Sequence, residues 1–295
     1  MCSPLVSCEW LKEQLENKNP NIRILDGTWN QPAWKRNAQQ EYLDGHIEGA
    51  VRFDIATVCD KDSPLPLTLP TAAQFTEHVQ KMGISNDTHV VVYDNHAKFG
   101  FYSAGRVWWI FKTYGHVNVS ILDGGIPKWK SNGYPTVSGP EPQYTPTTYK
   151  SIFHPELVRD YEAMMKSRES NTEQVVDGRP KGRYDGTAPE PNPRINSGHM
   201  IGSTNLPFME LTNKETMTLK SPADIRKVFE SYKIDMDKPM VLTCGGAVVA
   251  PLVSFAASLV TGNIVPVYDG SWGDWVRKAP AETMKLGIKG EDMPK

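Results

Sequence analysis

Residues 239–251 read PMVLTCGGAVVAP. An apolar run ends on Cys244, three small residues follow, and a second apolar run begins at Val248. The first run has the length of a strand. VVAPLVSFAASLV (248–260) reads as a helix, because Pro251 is tolerated only near a first turn. Strand, small loop and helix make the unit of an open α/β sheet, where ligands gather beyond the carboxyl ends of the strands. Cysteine is also among the residues most often buried as inert packing. The stretch thus poses a choice between filler and reactive sulfur.

The same unit occurs earlier in the chain. HVVVYD (89–94) matches PMVLTC (239–244) and puts Asp94 where the later copy has Cys244. IRILDGTW (22–29) matches QVVDGRP (174–180), both apolar runs ending in Asp-Gly. GHIEGAVRFDI (45–55) matches GHMIGSTNLPF (198–208), and ILDGGIPKW (121–129) matches VYDGSWGDW (267–275). Four landmarks in one order mark a duplicated domain. TAAQFTEHVQKMG (71–83) and SPADIRKVFESYK (221–233) carry helical periodicity behind a Thr or Ser N-cap. Strands alternating with helices predict, in each copy, an open, mainly parallel sheet with helices on both faces. SGPEPQYTPTTYK (138–150) has no periodicity and reads as a linker. The expected division is residues 1–137, a linker at 138–152, and residues 153–295.

Composition narrows the classes. A chain of 295 residues with 39% hydrophobic and 22% charged residues can bury a sizeable core. Its net charge of −2 gives no general attraction to nucleic acid or to anionic membranes, so neither is expected as a partner. An anionic substrate has to be attracted locally. Cys2, Cys8, Cys59 and Cys244 show neither metal-ligand spacing nor a compact disulfide framework, which suits a reducing compartment. The N-terminal residues lack the apolar core of a signal peptide. The cytoplasm is the default expectation, with the mitochondrion left open.

The small residues Gly245, Gly246 and Ala247 let backbone amides of the loop, with those of Val248 and Val249, turn inward as a cup. Amides at a helix N-terminus stabilise a thiolate and can hold an anion attached to its sulfur. A cysteine-dependent phosphatase needs Arg six residues after the nucleophile, and here that residue is Ala250. A cysteine protease needs a histidine base, yet His46 and His199 recur in both copies and read as turn residues. No second cysteine or paired histidine has zinc-ligand spacing, so no metal is expected.

The duplicated pattern, with DGR, then GRYDGTAPEPNP, GHxxG, strand–Cys–small loop and DGSW, resembles the tandem-domain rhodaneses. Within that family it is similar to the branch of thiosulfate and 3-mercaptopyruvate sulfurtransferases. The similarity runs from about Leu5 to about Pro280, and YSAGRVWWIFKTYGH (102–116) is as family-like as the second copy. It implies two rhodanese domains, the second carrying the catalytic cysteine. It implies a ping-pong reaction in which Cys244 takes a sulfane sulfur from a small anionic donor as a persulfide. The sulfur then passes to cyanide or to a thiol such as thioredoxin or a small thiol, without a cofactor. The resemblance makes Arg183 the residue that neutralises the donor, and makes Asp177 and Arg179 an internal pair bracing the site. Ser271 becomes a hydroxyl near the sulfur and a hydrogen-bond donor to it, or a turn residue. Arg194, in Glu-Pro-Asn-Pro-Arg, becomes a second donor-binding arginine if its loop shifts slightly.

The loop departs from both branches. Mercaptopyruvate enzymes resemble Cys-Gly-Ser/Thr-Gly-Val-Thr-Ala and thiosulfate enzymes Cys-Arg-Lys-Gly-Val-Thr-Ala, whereas residues 244–250 read Cys-Gly-Gly-Ala-Val-Val-Ala. The hydroxyl of the first type is Gly246, the cations of the second are Gly245 and Gly246, and the usual Thr is Val249. The Asp and His that mercaptopyruvate enzymes bring from the first copy fall at about Ala56 and Leu67. The donor is left open between thiosulfate and 3-mercaptopyruvate, and a binding protein without turnover is the alternative.

Overall fold

His89–Tyr93 forms a strand whose side chains point alternately into two buried faces. Val90 and Val92 join one apolar cluster, Val91 and Tyr93 another, and all four are fully buried. Burial on both faces is what a parallel sheet clothed by helices requires. The computed structural model, which describes residues 2–289, contains two such sheets.

The first sheet comprises β1 (Leu5–Val6), β2 (Ile22–Asp26), β3 (Val51–Arg52), β4 (His89–Tyr93) and β5 (Val119–Leu122). Its order is β1-β5-β4-β2-β3, and every pair is parallel. The second comprises β6 (Val158–Arg159), β7 (Gln174–Asp177), β9 (Thr204–Asn205), β10 (Met240–Thr243) and β11 (Val267–Tyr268). Its order, β6-β11-β10-β7-β9, is the same topology and is again parallel. β8 (Asn196–Met200) pairs separately and antiparallel with β12 (Met284–Lys289), and the first half keeps only a single bridge, His46 to Val137, at that place. Neither element of this pair was expected from the sequence, although MKLGIK (284–289) alternates apolar and polar residues as a half-exposed strand does.

The helices of the first half are α1 (Cys8–Glu16), α2 (Ala38–Asp44), α3 (Ala72–Lys81), α4 (Ala104–Thr113) and α5 (Gly125–Ser131). Those of the second are α6 (Tyr161–Ser170), α7 (Lys181–Asp185), α8 (Pro222–Ser231), α9 (Ala250–Thr261) and α10 (Ser271–Lys278). Thr71 closes a capping box with Gln74, and the Ser221 hydroxyl accepts the Asp224 amide at 3.2 Å, each cap worth about 1 kcal/mol. The side chains of α3, α4, α8 and α9 build one apolar core that runs through both halves. α1, α2 and α5 cover the far face of the first sheet, and α6 and α10 that of the second.

The two halves meet along α4 and α9. A methyl on Gly105 would lie 2.7 Å from the Leu252 Cα, so only glycine permits this approach. Trp108 meets Phe255 edge-on with ring centroids 5.0 Å apart. Fully buried Arg106 reaches across to Asp269 at 2.7 Å. Two matching clasps flank the helices. Asp269 accepts the Leu69 amide at 2.8 Å, and its counterpart Asp123 accepts the Leu219 amide at 2.9 Å.

Residues 138–150 contain no helix or strand beyond their first turn, yet they are strapped to the first half. Tyr144 lies 3.2 Å under the Arg23 guanidinium, Thr147 takes the Gln80 carbonyl at 3.1 Å, and Tyr149 is buried. Among the described residues no helix is long and apolar enough to cross a membrane.

Candidate active site

Cys244 follows the last residue of β10 and is 2% exposed. Parallel pairing of Thr243 with Asp177 sets the end of β7 beside it. The loop from Cys244 turns through Ala247, which has a φ of +51°, and enters α9 with Pro251 in the first turn. Among the described residues the amides of Gly245, Gly246, Val248 and Val249 have no protein acceptor.

The first half shows what such amides do. There Asp94 occupies the place of Cys244, and one carboxylate oxygen takes the amides of Tyr102, Ser103 and Ala104, each at 2.8 Å. The residues preceding the two helices share a backbone conformation: Ser103 at φ −105°, ψ −16° and Val249 at φ −97°, ψ −18°. A helix start that holds a carboxylate in one copy is thus presented without an internal anion in the other. Burial pushes the Asp94 carboxyl up to about 6, with the three amides pulling it back down.

The loop is pinned from beneath by the start of α10. The Ser271 hydroxyl accepts the amides of Cys244 at 3.2 Å and Ala247 at 3.1 Å, and donates to the Tyr268 carbonyl at 2.9 Å. The amides of Trp272 and Gly273 bond the carbonyls of Cys244 and Gly245, both at 3.0 Å. This corrects two expectations. Ser271 does not give its proton to the sulfur, because its one hydrogen goes to Tyr268. The Ala247 amide is not available to a ligand, because Ser271 holds it.

Four charged side chains stand in series beside the loop. Arg179 is fully buried, with Nε and Nη2 on the Asp177 carboxylate at 2.6–3.0 Å and Nη1 on Glu190 at 2.7 Å. Burial works against its charge, but the two carboxylates outweigh that and hold it protonated. The other oxygen of Glu190 takes Nε of Arg183 at 3.1 Å and also its Nη2. Arg183 lies on α7 directly above the loop, since a Cβ added to Gly245 would sit 2.5 Å from its Nη2. Around Gly246 the space is open, with nothing within 4 Å of an added Cβ.

The sequence matches the Rhodanese-like domain family over residues 7–132 and 158–278. It is 43% identical to the thiosulfate sulfurtransferase of Bos taurus over 289 residues, covering 97% of this chain and 96% of that one. It is 40% identical to the 3-mercaptopyruvate sulfurtransferase of Homo sapiens over 284 residues, covering 96% and 95%. The structure superposes on that of the Escherichia coli 3-mercaptopyruvate sulfotransferase SseA with a TM-score of 0.81. That pair is 33% identical and covers 92% of this chain and 99% of the other. The chain belongs to the rhodanese family.

As in the sequence reading, each half is one rhodanese domain, and the cysteine at the β10 end lies only in the second. The two recurring histidines are structural rather than turn residues: His46 stands at the bridge to Val137 and His199 lies within β8. His46 stacks on Tyr42 at 3.8 Å and bonds its carbonyl at 2.8 Å, while His199 stacks on Tyr184 at 4.1 Å and bonds its carbonyl at 2.8 Å. Arg194 sits in an exposed turn, its amide on the Asn192 side chain at 3.1 Å, and no hydrogen bond or ion pair joins it to the loop. Ala56 is exposed, and Leu67 contributes a carbonyl to Arg106 rather than a side chain to chemistry. Among the described residues no group of three His, Cys, Asp or Glu is gathered that could hold a metal.

Sequence reasoning missed three residues of this rhodanese site. Glu190 was passed over inside a proline-rich turn, although a lone acid after two arginine-bearing motifs is a signal for pairing. Tyr102 comes from the other domain. Burial pushes its hydroxyl up, the Gln31 bond lowers it, and the charges of Arg183 and Cys244 act on it from across the interface. Phe208 packs against Tyr102 at 5.9 Å and Phe99 at 5.3 Å, closing an aromatic wall between the domains. Contacts between domains leave no periodicity in either one.

Proposed function

We propose that this rhodanese transfers a sulfane sulfur through a persulfide on Cys244. The observation that carries the reading is the pair of helix starts. The amides that bind a carboxylate in the first domain have no internal acceptor in the second, where the residue in the carboxylate's place is a thiol.

The Cys244 thiolate attacks the outer sulfur of thiosulfate, the S–S bond breaks, and sulfite leaves with the electron pair. With 3-mercaptopyruvate the C–S bond breaks, and pyruvate leaves as its enolate and takes a proton. Both routes leave a persulfide whose terminal sulfur carries the charge, and the amides of Gly245, Gly246, Val248 and Val249 stabilise that charge. Cyanide or a thiol then attacks the terminal sulfur and restores the thiolate. Arg183 holds the anionic end of the donor, and Asp177 and Arg179 brace it through Glu190. Cys244 is 2% exposed, so the acceptor is a slender nucleophile such as cyanide, a small thiol or a projecting protein thiol. Four unpaired cysteines suit a reducing compartment.

Intact mass spectrometry tests the reading. Incubation with thiosulfate or 3-mercaptopyruvate adds one sulfur atom to the protein and none to Cys244→Ser, and cyanide removes it as thiocyanate. Failure of both donors to add sulfur would refute it.

A further inference from the structure

Arg23, near the start of β2, is a half-buried cation without a counter-ion. Among the described residues, every other arginine that is buried or half-buried has a carboxylate within 3.8 Å: Arg52, Arg106, Arg159, Arg179, Arg183 and Arg226. Of the N–H donors of Arg23 a single one is used, on Nη2, which reaches the Gly83 carbonyl at 3.3 Å. Nε has no acceptor and is sealed from solvent, whereas Nη1 has no acceptor and is not sealed. One face of the guanidinium rests on the Tyr144 ring. Burial pushes its pKa below the ordinary value, with Tyr144 alone acting against that and no carboxylate contributing. A cation so placed is ordinarily paired.

The unpaired guanidinium lines a cavity of about 280 Å³. The end of α1, the start of β2, the turn before β3 and Tyr144 of the linker form the walls. Leu15, Pro20 and Ile22 make an apolar side, and Lys18 adds a second cation. Glu48 is the one acid in the lining; it is exposed and makes no ion pair with Arg23. The end of α1 does not supply the missing acceptor either. The carbonyls of Glu13, Gln14 and Leu15 take the amides of Asn17, Asn19 and Lys18 at 3.0–3.1 Å. Two cations against one acid leave one positive charge to be met, which suits a monoanion better than a dianion. Nη1 offers both of its hydrogens to an acceptor, and the apolar side asks for a hydrocarbon body that an inorganic anion lacks. The volume keeps that body small.

We propose that this cavity binds a small organic monocarboxylate, its carboxylate on Nη1 of Arg23 and its hydrocarbon body against Leu15, Pro20 and Ile22. The occupant meets the first domain and the linker together. The Tyr144 ring backs the guanidinium, and its hydroxyl donates to the Gly49 carbonyl at 2.8 Å. Binding therefore fastens residues 138–150 to the first domain, and it does so independently of Cys244.

Benzoate is the probe, with benzamide as its neutral isostere and inorganic phosphate as an anion without a hydrocarbon body. Calorimetry on the full chain is expected to show benzoate binding, with benzamide and phosphate each weaker by about tenfold or more. Arg23→Gln weakens benzoate by about tenfold or more, and Glu48→Gln strengthens it about two- to fivefold by removing a like charge. Saturating benzoate slows proteolysis within residues 138–150 of the wild type and has no such effect on Arg23→Gln. Arg183→Ala separates this cavity from the donor site. Benzoate affinity is kept in that variant, whereas its loss there and retention in Arg23→Gln overturns the proposal. Absence of benzoate binding overturns it, as does phosphate bound more tightly than benzoate. If Arg23→Gln fails to fold, Glu48→Gln decides, because its position is exposed: unchanged or weakened affinity overturns the proposal. None of these measurements reads sulfur transfer, so a failure here leaves the reading of Cys244 standing.

Discussion

The hydroxyl of Ser271 joins three backbone groups that would otherwise be orphaned in a buried site: two amides of the cysteine loop and the Tyr268 carbonyl. It is fully buried and held at a φ of +52°, so its place costs backbone strain that the three bonds offset. Ser271→Ala keeps the strain and removes the bonds. Leaving buried donors unsatisfied costs about 1–3 kcal/mol, and the loosened loop lowers kcat by about ten- to a hundredfold. Chemical denaturation and steady-state rates check both effects. A variant of unchanged stability but reduced rate would mean that the hydroxyl serves the sulfur and not the loop. DGSW in the sequence places a hydroxyl near the cysteine; the direction in which it donates depends on Tyr268, whose carbonyl the sequence does not locate.

Helices explain the charge-binding ends of both sheets, and three of the ten described were legible. Thr71, Ser221 and Pro251 announce three helix starts by capping chemistry and by the missing proline amide, and all three helices begin there. α7 was not legible, because five residues with no buried member carry no periodicity. The start of α4 yields a prediction about pH. Asp94 has its folded-state pKa raised by burial from an ordinary 3.8 to about 6. Between those values the folded protein binds a proton that the unfolded chain has released, so stability falls as pH rises from about 4 to about 6. The slope integrates to about 3 kcal/mol from this group. Asp123, raised to about 6 by its own burial, adds a slope in the same window. Asp94→Asn removes the contribution of this group. Its unfolding free energy, followed by urea titration across pH 4–7, then declines less steeply than that of wild type. An unchanged slope would mean that the α4 amides hold the carboxylate ionised throughout.

At the scale of the molecule, the duplication was readable because each domain repeats its landmarks, while the way the domains face each other was not. Asp123 and Asp269 occupy matched positions in ILDGG and VYDGS, and each clasps a leucine amide of the opposite domain. Nothing in either motif marks it as an interface. The same arrangement brings Tyr102 of the first domain within electrostatic reach of Cys244 in the second. The cleft therefore depends on how closely α4 and α9 approach, and Gly105 sets that distance. A Cβ there would meet the Cα, N and Cβ of Leu252 at 2.7, 2.8 and 2.9 Å. Two of these atoms belong to the backbone of a helix and cannot rotate away, so Gly105→Ala moves one domain against the other. Overpacking of this kind costs about 1–3 kcal/mol. It also strains the buried Arg106–Asp269 pair that crosses the same seam. The variant is expected to melt at a lower temperature and to lose sulfur-transfer rate with both donors, even though the substitution lies outside the cysteine loop. Residues 138–150, held to the first domain, become more readily cut by protease as the domains part. Wild-type rates in a variant of lowered stability would show that the cleft does not depend on the α4–α9 distance.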